Sequence, residues 1–269
     1  MSGFSAAWLA LRERYDHAAR NRHVLGALTG AFCGAAAISV VDLACGTGST
    51  FRAISAHLPP RQNWRLVDSD LGLLARAGAA ARTCNVNMVT TPIDLARDLE
   101  LAIDGPLDLV TTSALLDLVS IDWLDCLVVE AAARRLPVYA ALTYDGRALV
   151  EPGEPLDAQV IAGVNAHQRT DKGFGPALGG TAARRAVERF EHFGYAVVQG
   201  ASDWMLQPTD QAIQEALFAG WAELASTMGT FAPERIAAWL SRRRLHLAAG
   251  RSRLRVGHLD IFARPIGSR

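Results

Sequence analysis

The chain lacks any net charge, since 27 basic residues stand against 27 acidic ones in 269 positions. A molecule so balanced has no overall field that would gather nucleic acid or an anionic membrane, so a small-molecule partner is the first expectation. Cysteine is scarce and scattered. Cys33, Cys45, Cys84 and Cys126 form no Cys-x-x-Cys pair, which excludes the spacing of a structural zinc site, leaves no metal expected, and argues for a reducing, cytoplasmic setting over a disulfide framework. No signal peptide is readable, because Arg12, Glu13, Arg14 and Asp16 interrupt the only early apolar stretch. The run from Val24 to Val41 has no charged residue. It is diluted by Gly26, Thr29, Gly30, Gly34 and Ser39 and merges into an expected strand, so no membrane span is expected. Internal repeats and low-complexity tails are absent as well.

Apolar residues, by contrast, make up half of the chain, enough for a sizeable core in one α/β domain over 1–269. Trp8, Leu11, Tyr15 and Ala18 recur at helical spacing, which predicts a helix from about Trp8 to Leu28 and a helical cap over 1–30. Ile38 to Leu43 then reads as a strand, Gly46-Thr47-Gly48 as a turn, and Phe51, Ile54 and Leu58 as a helix stopped by Pro59-Pro60. Trp64 to Val67 is the next strand, with a helix from Leu71 through Ala81, so the first half alternates as a parallel sheet does. Short strands follow at Asn87 to Thr90, Leu107 to Thr111 and Val138 to Thr143, with a helix capped by Ser120. Thr181 is expected to cap a helix ended by Gly194, before a strand from Tyr195 to Val198. Helices over Asp210 to Met228 and Pro233 to Ala249 and a strand from Leu254 to Ala263 complete the chain. The interval 151–180 concentrates glycine, proline and polar residues, with room for a helix near Asp157 to Ala166, and a connection this long is read as a substrate lid.

Gly46 and Gly48 let the backbone turn tightly and bring its amides close to a ligand. A dinucleotide turn would need a third glycine where Phe51 stands, and a phosphate-binding turn would need a lysine where Ser49 and Thr50 follow. Both absences count against a ligand carrying phosphate. Asp68 ends the second strand, and a carboxylate there has acceptors for both hydroxyls of a ribose. Asp70 is the rival, more suited to starting the next helix.

The run Val40-Val41-Asp42-Leu43-Ala44-Cys45-Gly46-Thr47-Gly48, with Asp68, Ile93-Asp94-Leu95 and Asp108 to Val119, resembles the class I S-adenosylmethionine (SAM)-dependent methyltransferases over nearly the whole chain. That resemblance implies a Rossmann-like, doubly wound sheet of seven strands, mostly parallel with an antiparallel last strand, and SAM as cofactor. It implies that Asp42 helps hold the methionine part, that the glycine turn lies under the cofactor, and that Asp68, with Ser69 beside it, takes the ribose. Asp94 would stand near the adenine, flanked by Leu95, Ser113 and Leu116. Ala44 replaces the family's usual first glycine. A bacterial subgroup sharing the early Leu-Arg-Glu segment and a stretch like Thr170 to Gly179 is suspected, and no substrate comes with it.

Ligands in open α/β sheets lie beyond the carboxyl ends of the strands, which places a turn of Tyr144, Asp145, Gly146 and Arg147 and the lid near the reacting methyl group. His167 is the first candidate base, its ordinary pKa of about 6.5 suiting proton transfer near neutrality. Asp145 is the second, with Tyr144 beside it, and Asn165, Arg169 and Lys172 are candidates for holding substrate. Arg12, Arg14 and Tyr15 could reach the methionine carboxylate. The reaction expected is methyl transfer to an oxygen or nitrogen of a small molecule. The alternatives are an RNA methyltransferase, suggested by Arg242-Arg243-Arg244 with Arg251, Arg253 and Arg255, and a SAM-binding protein that does not catalyse.

Overall fold

The computed structural model describes residues 4–81, 86–227 and 231–267, so Cys84 and Met228 lie outside the described residues. Eight strands form one sheet: β1 (Ala37–Leu43), β2 (Arg61–Asp68), β3 (Asn87–Pro92), β4 (Leu109–Ser113), β5 (Val138–Glu151), β6 (Tyr195–Ala201), β7 (Trp204–Leu206) and β8 (Arg253–Pro265). Their order is β3-β2-β1-β4-β5-β8-β6, with β7 also paired to β8. Strands β1 to β5 run parallel. The last strand, β8, lies antiparallel to β5, β6 and β7.

Side chains alternate across a strand, and the central strands are apolar on both sides, so helices cover both faces. Val41, Leu43, Val110 and Val138 pack against α6 (Ile121–Ala133) and α8 (Ala182–His192) through Leu124, Val128 and Phe190. Val40, Leu109 and Tyr139 face the other way, onto Leu28 of α2 (Arg22–Ala31), Phe51 and Ile54 of α3 (Ser49–Ile54) and Leu74 of α4 (Leu71–Ala81). The doubly wound, mostly parallel sheet is thus as the sequence implied. The uncharged run from Val24 to Val41 divides into part of α2, a connection and β1, and no helix among the described residues is long and apolar enough to cross a membrane.

Several expectations need correction. Among the described residues the sheet has eight strands where seven were implied, because β7 adds a short rung beside the first half of β8. The N-terminal helix is broken into α1 (Ala6–Ala19) and α2 by Asn21, whose Oδ1 accepts the amides of His23 and Val24 while its own amide donates to Asp260. Thr181 stands at the N-cap position of α8 as expected but makes no side-chain cap. Its hydroxyl donates to the Leu178 carbonyl, closing a short 3-10 turn instead. Strand β5 does not end at Thr143 but continues to Glu151 through two register shifts. Its far half, with β7 and the start of β8, packs a third apolar cluster against α7 (Asp157–Gln168), α9 (Gln211–Thr227) and α10 (Pro233–Ala248). The helix expected near Asp157 to Ala166 in the 151–180 interval is present as α7, with Val160 and Val164 buried and Leu156 buried just before it.

Three residues other than glycine adopt left-handed backbone at the carboxyl rim of the central strands: Ala44 after β1 (φ 52°), Ala114 after β4 (φ 52°) and Leu142 in β5 (φ 54°). A Cβ in that region costs about 1–2 kcal/mol per residue. Such conformations persist only where surrounding structure holds them, and they gather at functional sites. Here Ala114 donates its amide to Ala141 at 2.9 Å, and Leu142 donates its own to Asp260 Oδ1 at 2.7 Å.

Candidate active site

The turn after β1 is shaped by backbone that favours glycine, with Gly46 at φ 55° and Gly48 at φ 82°. Asp68, at the end of β2, closes it from the side: Oδ2 accepts the Gly46 amide at 2.9 Å and Oδ1 the Asp70 amide at 2.9 Å. Asp70 does what its position suggested, accepting the amides of Gly72 and Leu73 at the start of α4. Helix α1 lies across the turn. A Cβ added to Gly46 would come within 3.2 Å of Leu9, His17 Nε2 is 3.1 Å from Ser49 Oγ, and Glu13 holds Arg52, which also donates to the Thr47 carbonyl.

Asp42 is fully buried. Its Oδ1 accepts the Thr111 hydroxyl at 2.9 Å, whereas Oδ2 has no partner. Burial pushes its carboxyl up to about 7, moderated by Thr111 and Arg20. Further along the rim, Ser69 and Asp94 are exposed, Ser113 and Ala44 are half-buried, and Leu95 and Leu116 are buried. Asp94 Oδ1 accepts the Ala96 amide, and the Leu95 carbonyl accepts Trp123 Nε1 at 2.6 Å. Carboxylates at two strand ends, a turn built from bare backbone, and no cation left unpaired within the turn suit a nucleoside without phosphate.

The proposed reacting residues divide into two groups. Tyr144 donates its hydroxyl to Asn165 Oδ1 at 2.8 Å, and Asn165 donates to the Gly146 carbonyl. His167 lies two residues along α7, and side chains at that separation do not share a helix face. It meets Lys172 instead, Nδ1 to Nζ at 3.2 Å, and burial together with that lysine lowers its proton affinity. Burial lowers that of Lys172 too. Arg169 is exposed and donates to the Asn165 carbonyl. Tyr144 to Arg147 form not a free turn but an irregular part of β5, where the Asp145 carboxylate accepts both the backbone amide and the guanidinium of Arg147. Arg14 and Tyr15 go elsewhere, to Asp210.

Asp117, His258 and Trp204 were not singled out from the sequence. Asp117 follows β4, is 5% exposed, and has one carboxylate oxygen without a partner. Burial pushes it up to about 6, with Arg12 and backbone amides opposing. His258 of β8 stands opposite Tyr144 in the register. Its ring centroid is 5.1 Å from that of Trp204 and 6.1 Å from that of Tyr144. The one available signal was an acid inside the apolar run Leu115-Leu116-Asp117-Leu118.

Burial lowers His258 to about 4, with Arg12 of α1 reinforcing and Asp145 of β5 and Asp203 before β7 opposing. A histidine held neutral in the fold stabilises fully above its unfolded pKa of about 6.5, and that stability is lost as pH falls towards 4. Asp117 and Asp42, raised in the fold, have the opposite sign, so a difference between variants isolates the histidine. The stability gap between wild type and His258→Gln, measured by urea unfolding, is expected to shrink by about 3 kcal/mol from pH 7 to pH 4. A gap independent of pH would contradict this assignment.

No family model and no curated protein sequence matches the chain. Among solved structures, a Bacillus halodurans C-125 protein with a provisional methyltransferase assignment aligns over 90% of this chain and 99% of its own, at 14% identity and a TM-score of 0.52. The chain has the Rossmann-like methyltransferase fold. A SAM-dependent methyltransferase from Geobacter sulfurreducens, solved with S-adenosyl-L-homocysteine, aligns over 98% of this chain and 100% of its own at 14% identity and a TM-score of 0.49. Within the methyltransferase fold, the strand ends that carry Asp42, Asp68, Ser113 and Tyr144 form one rim.

Proposed function

We propose that the protein is a SAM-dependent methyltransferase of the bacterial cytoplasm acting on a small molecule through an oxygen or nitrogen nucleophile. The observation that carries the reading is the junction of Asp68 with the Gly46 amide, which sets a ribose acceptor beside a left-handed glycine turn. In this reading Asp42 and the Ala44 to Gly48 turn lie under the methionine part and Asp68 with Ser69 takes the ribose. Asp94, Leu95, Ser113 and Leu116 surround the adenine. The segment 151–180 is the substrate lid, with Asn165, Arg169 and Lys172 available to hold an acceptor.

The cofactor supplies an activated methyl group, so the chain's main task is alignment, which can lower a barrier by about 7–11 kcal/mol. The left-handed residues at the rim and the seat of α1 on the turn support that alignment. Tyr144, fixed by Asn165, has its hydroxyl pushed upward by burial, so it serves as a hydrogen-bond donor and not as a base. His167, beside Lys172, is the candidate base within the lid itself, while Asp145, paired with Arg147, serves the shape of β5.

Of the six arginines that suggested RNA, four pair with carboxylates, Arg242 with Glu154, Arg243 with Asp157, Arg244 with Glu215 and Arg255 with Asp203, while Arg253 donates to Gln207 and the exposed Arg251 lies 3.5 Å from His246 Nδ1. That pairing favours a small acceptor over a polyanion. Calorimetry with SAM, S-adenosylhomocysteine and NAD tests the central reading. SAM and its demethylated product are expected to bind and NAD is not, and NAD binding without SAM binding would sink the proposal.

A further inference from the structure

Where the carboxyl rim of β4 and β5 meets α1 and β8, two polar side chains are buried with an atom unanswered. Asp117 Oδ1 and His258 Nδ1 have no hydrogen-bond partner, and each residue is 5% exposed. An unsatisfied buried polar atom costs about 1–3 kcal/mol, more for a charged group, so two in one cluster call for an explanation. Aromatic rings border them. Trp204 lies against His258, Trp8 meets Trp204 edge-on at 6.4 Å, and Tyr144 stands between the histidine and Asn165. Arg12 lies 5.0 Å over the Trp204 ring and is bound by Asp16.

Resting on the methyl-transfer reading, we propose that this cluster is the acceptor subsite and that it takes a small aromatic molecule through a neutral hydroxyl group donating to Asp117 Oδ1. The place is right for a reaction at the end of the cofactor away from Asp94, since ligands in such sheets lie beyond the carboxyl ends of the strands. Burial selects a neutral reacting group, since carrying an ammonium out of water into this enclosed space costs far more than carrying in a hydroxyl. The edge-on rings suit a flat apolar body, with pairings of that kind worth about 0.5–1.5 kcal/mol.

In the transfer, the acceptor oxygen forms its bond to the methyl carbon as the carbon–sulfur bond breaks, and the electron pair of that bond stays on sulfur. The hydroxyl proton passes to the Asp117 carboxylate and from there to solvent. Asp117 is poised for this by burial, its carboxyl lying near neutrality. The 169–181 segment lies beside the cluster, tied to the Asp117 loop by two backbone bonds, Leu178 to Val119 and Gly179 to Asp117.

Phenol is the probe. Titrated into the protein loaded with S-adenosylhomocysteine, it is expected to change tryptophan fluorescence saturably, at least tenfold more weakly with Asp117→Asn and with no signal from Trp204→Phe. Labelled SAM with phenol is expected to give anisole, and at least about a hundredfold less with Asp117→Asn, the scale a positioned base supplies. Calorimetry is expected to show equal SAM affinity for wild type and Asp117→Asn, with melting temperature as the check on folding. No saturable phenol signal, no anisole from wild type, or equal behaviour of Asp117→Asn overturns the acceptor subsite while leaving the cofactor reading intact. Failure of wild type to bind SAM overturns the methyl-transfer reading itself.

Discussion

Asp68→Ala is expected to weaken SAM binding by about a hundredfold to ten-thousandfold, the equivalent of two hydrogen bonds to a charged group at about 1.5–3 kcal/mol each. The two carboxylate oxygens already organise the site, one on the Gly46 amide and one on the Asp70 amide. The alanine variant therefore loses both the ribose acceptor and the strut that holds the turn against β2. Asp68→Asn separates the two roles, since its single carbonyl oxygen keeps one acceptor. It is expected to fall between alanine and wild type in calorimetric affinity. If Asp68→Ala binds SAM as wild type does, the ribose assignment is wrong. Asp70 is then a poor substitute, because its carboxylate is occupied at the start of α4.

Asp157→Ala is expected to cost about 3–5 kcal/mol of stability, because it strands a buried guanidinium. The Arg243 side chain is wholly inaccessible, and it donates to both Asp157 and the Pro152 carbonyl. Asp157 also accepts Trp239 Nε1 at 2.8 Å and the Glu154 amide at 2.7 Å, so one carboxylate joins α10 to the beginning of α7. For a domain of this size the loss corresponds to a fall in melting temperature of roughly 6–20 °C. The double variant Asp157→Leu with Arg243→Met should recover much of it, since buried ion pairs are often replaceable by apolar packing. A loss below about 1 kcal/mol in urea unfolding of the single variant would contradict this picture.

The strands of the first half are legible because each carries an apolar run ended by a turn residue: Val40 to Leu43 before the glycines, and Trp64 to Val67 before Asp68. Caps that depend on neighbours in sequence are legible too, as Ser120 on Trp123 demonstrates. What depends on distant partners is not. The continuation of β5 past Thr143 runs through polar, glycine-containing sequence that reads as a turn, and only pairing with β8 from Ala148 to Glu151 makes it a strand. Thr181 has the residue type of a cap and stands at the N-cap position, but the 3-10 turn before it gives it helical instead of extended backbone, and its oxygen accepts none of the first amides of α8. The candidate rim could be proposed from a local pattern. Asp117 and His258 could not be connected, because no spacing links a loop after β4 to the last strand. The arginines near the C-terminus looked like a patch in the sequence, but four of them pair with carboxylates brought from elsewhere in the chain.

The left-handed backbone of Ala44, Ala114 and Leu142 sets the ends of β1 and β4 and the first irregularity of β5 in shapes that a free peptide would avoid. Hydrogen bonds of the fold itself, from Ala114 to the Ala141 carbonyl and from Leu142 to Asp260, hold two of those shapes, so they do not wait on a ligand to order them. Preorganisation of that kind improves affinity by removing an ordering cost from the binding step. It also makes the rim an exacting judge of geometry, able to reject a ligand whose contacts would require the strand ends to move.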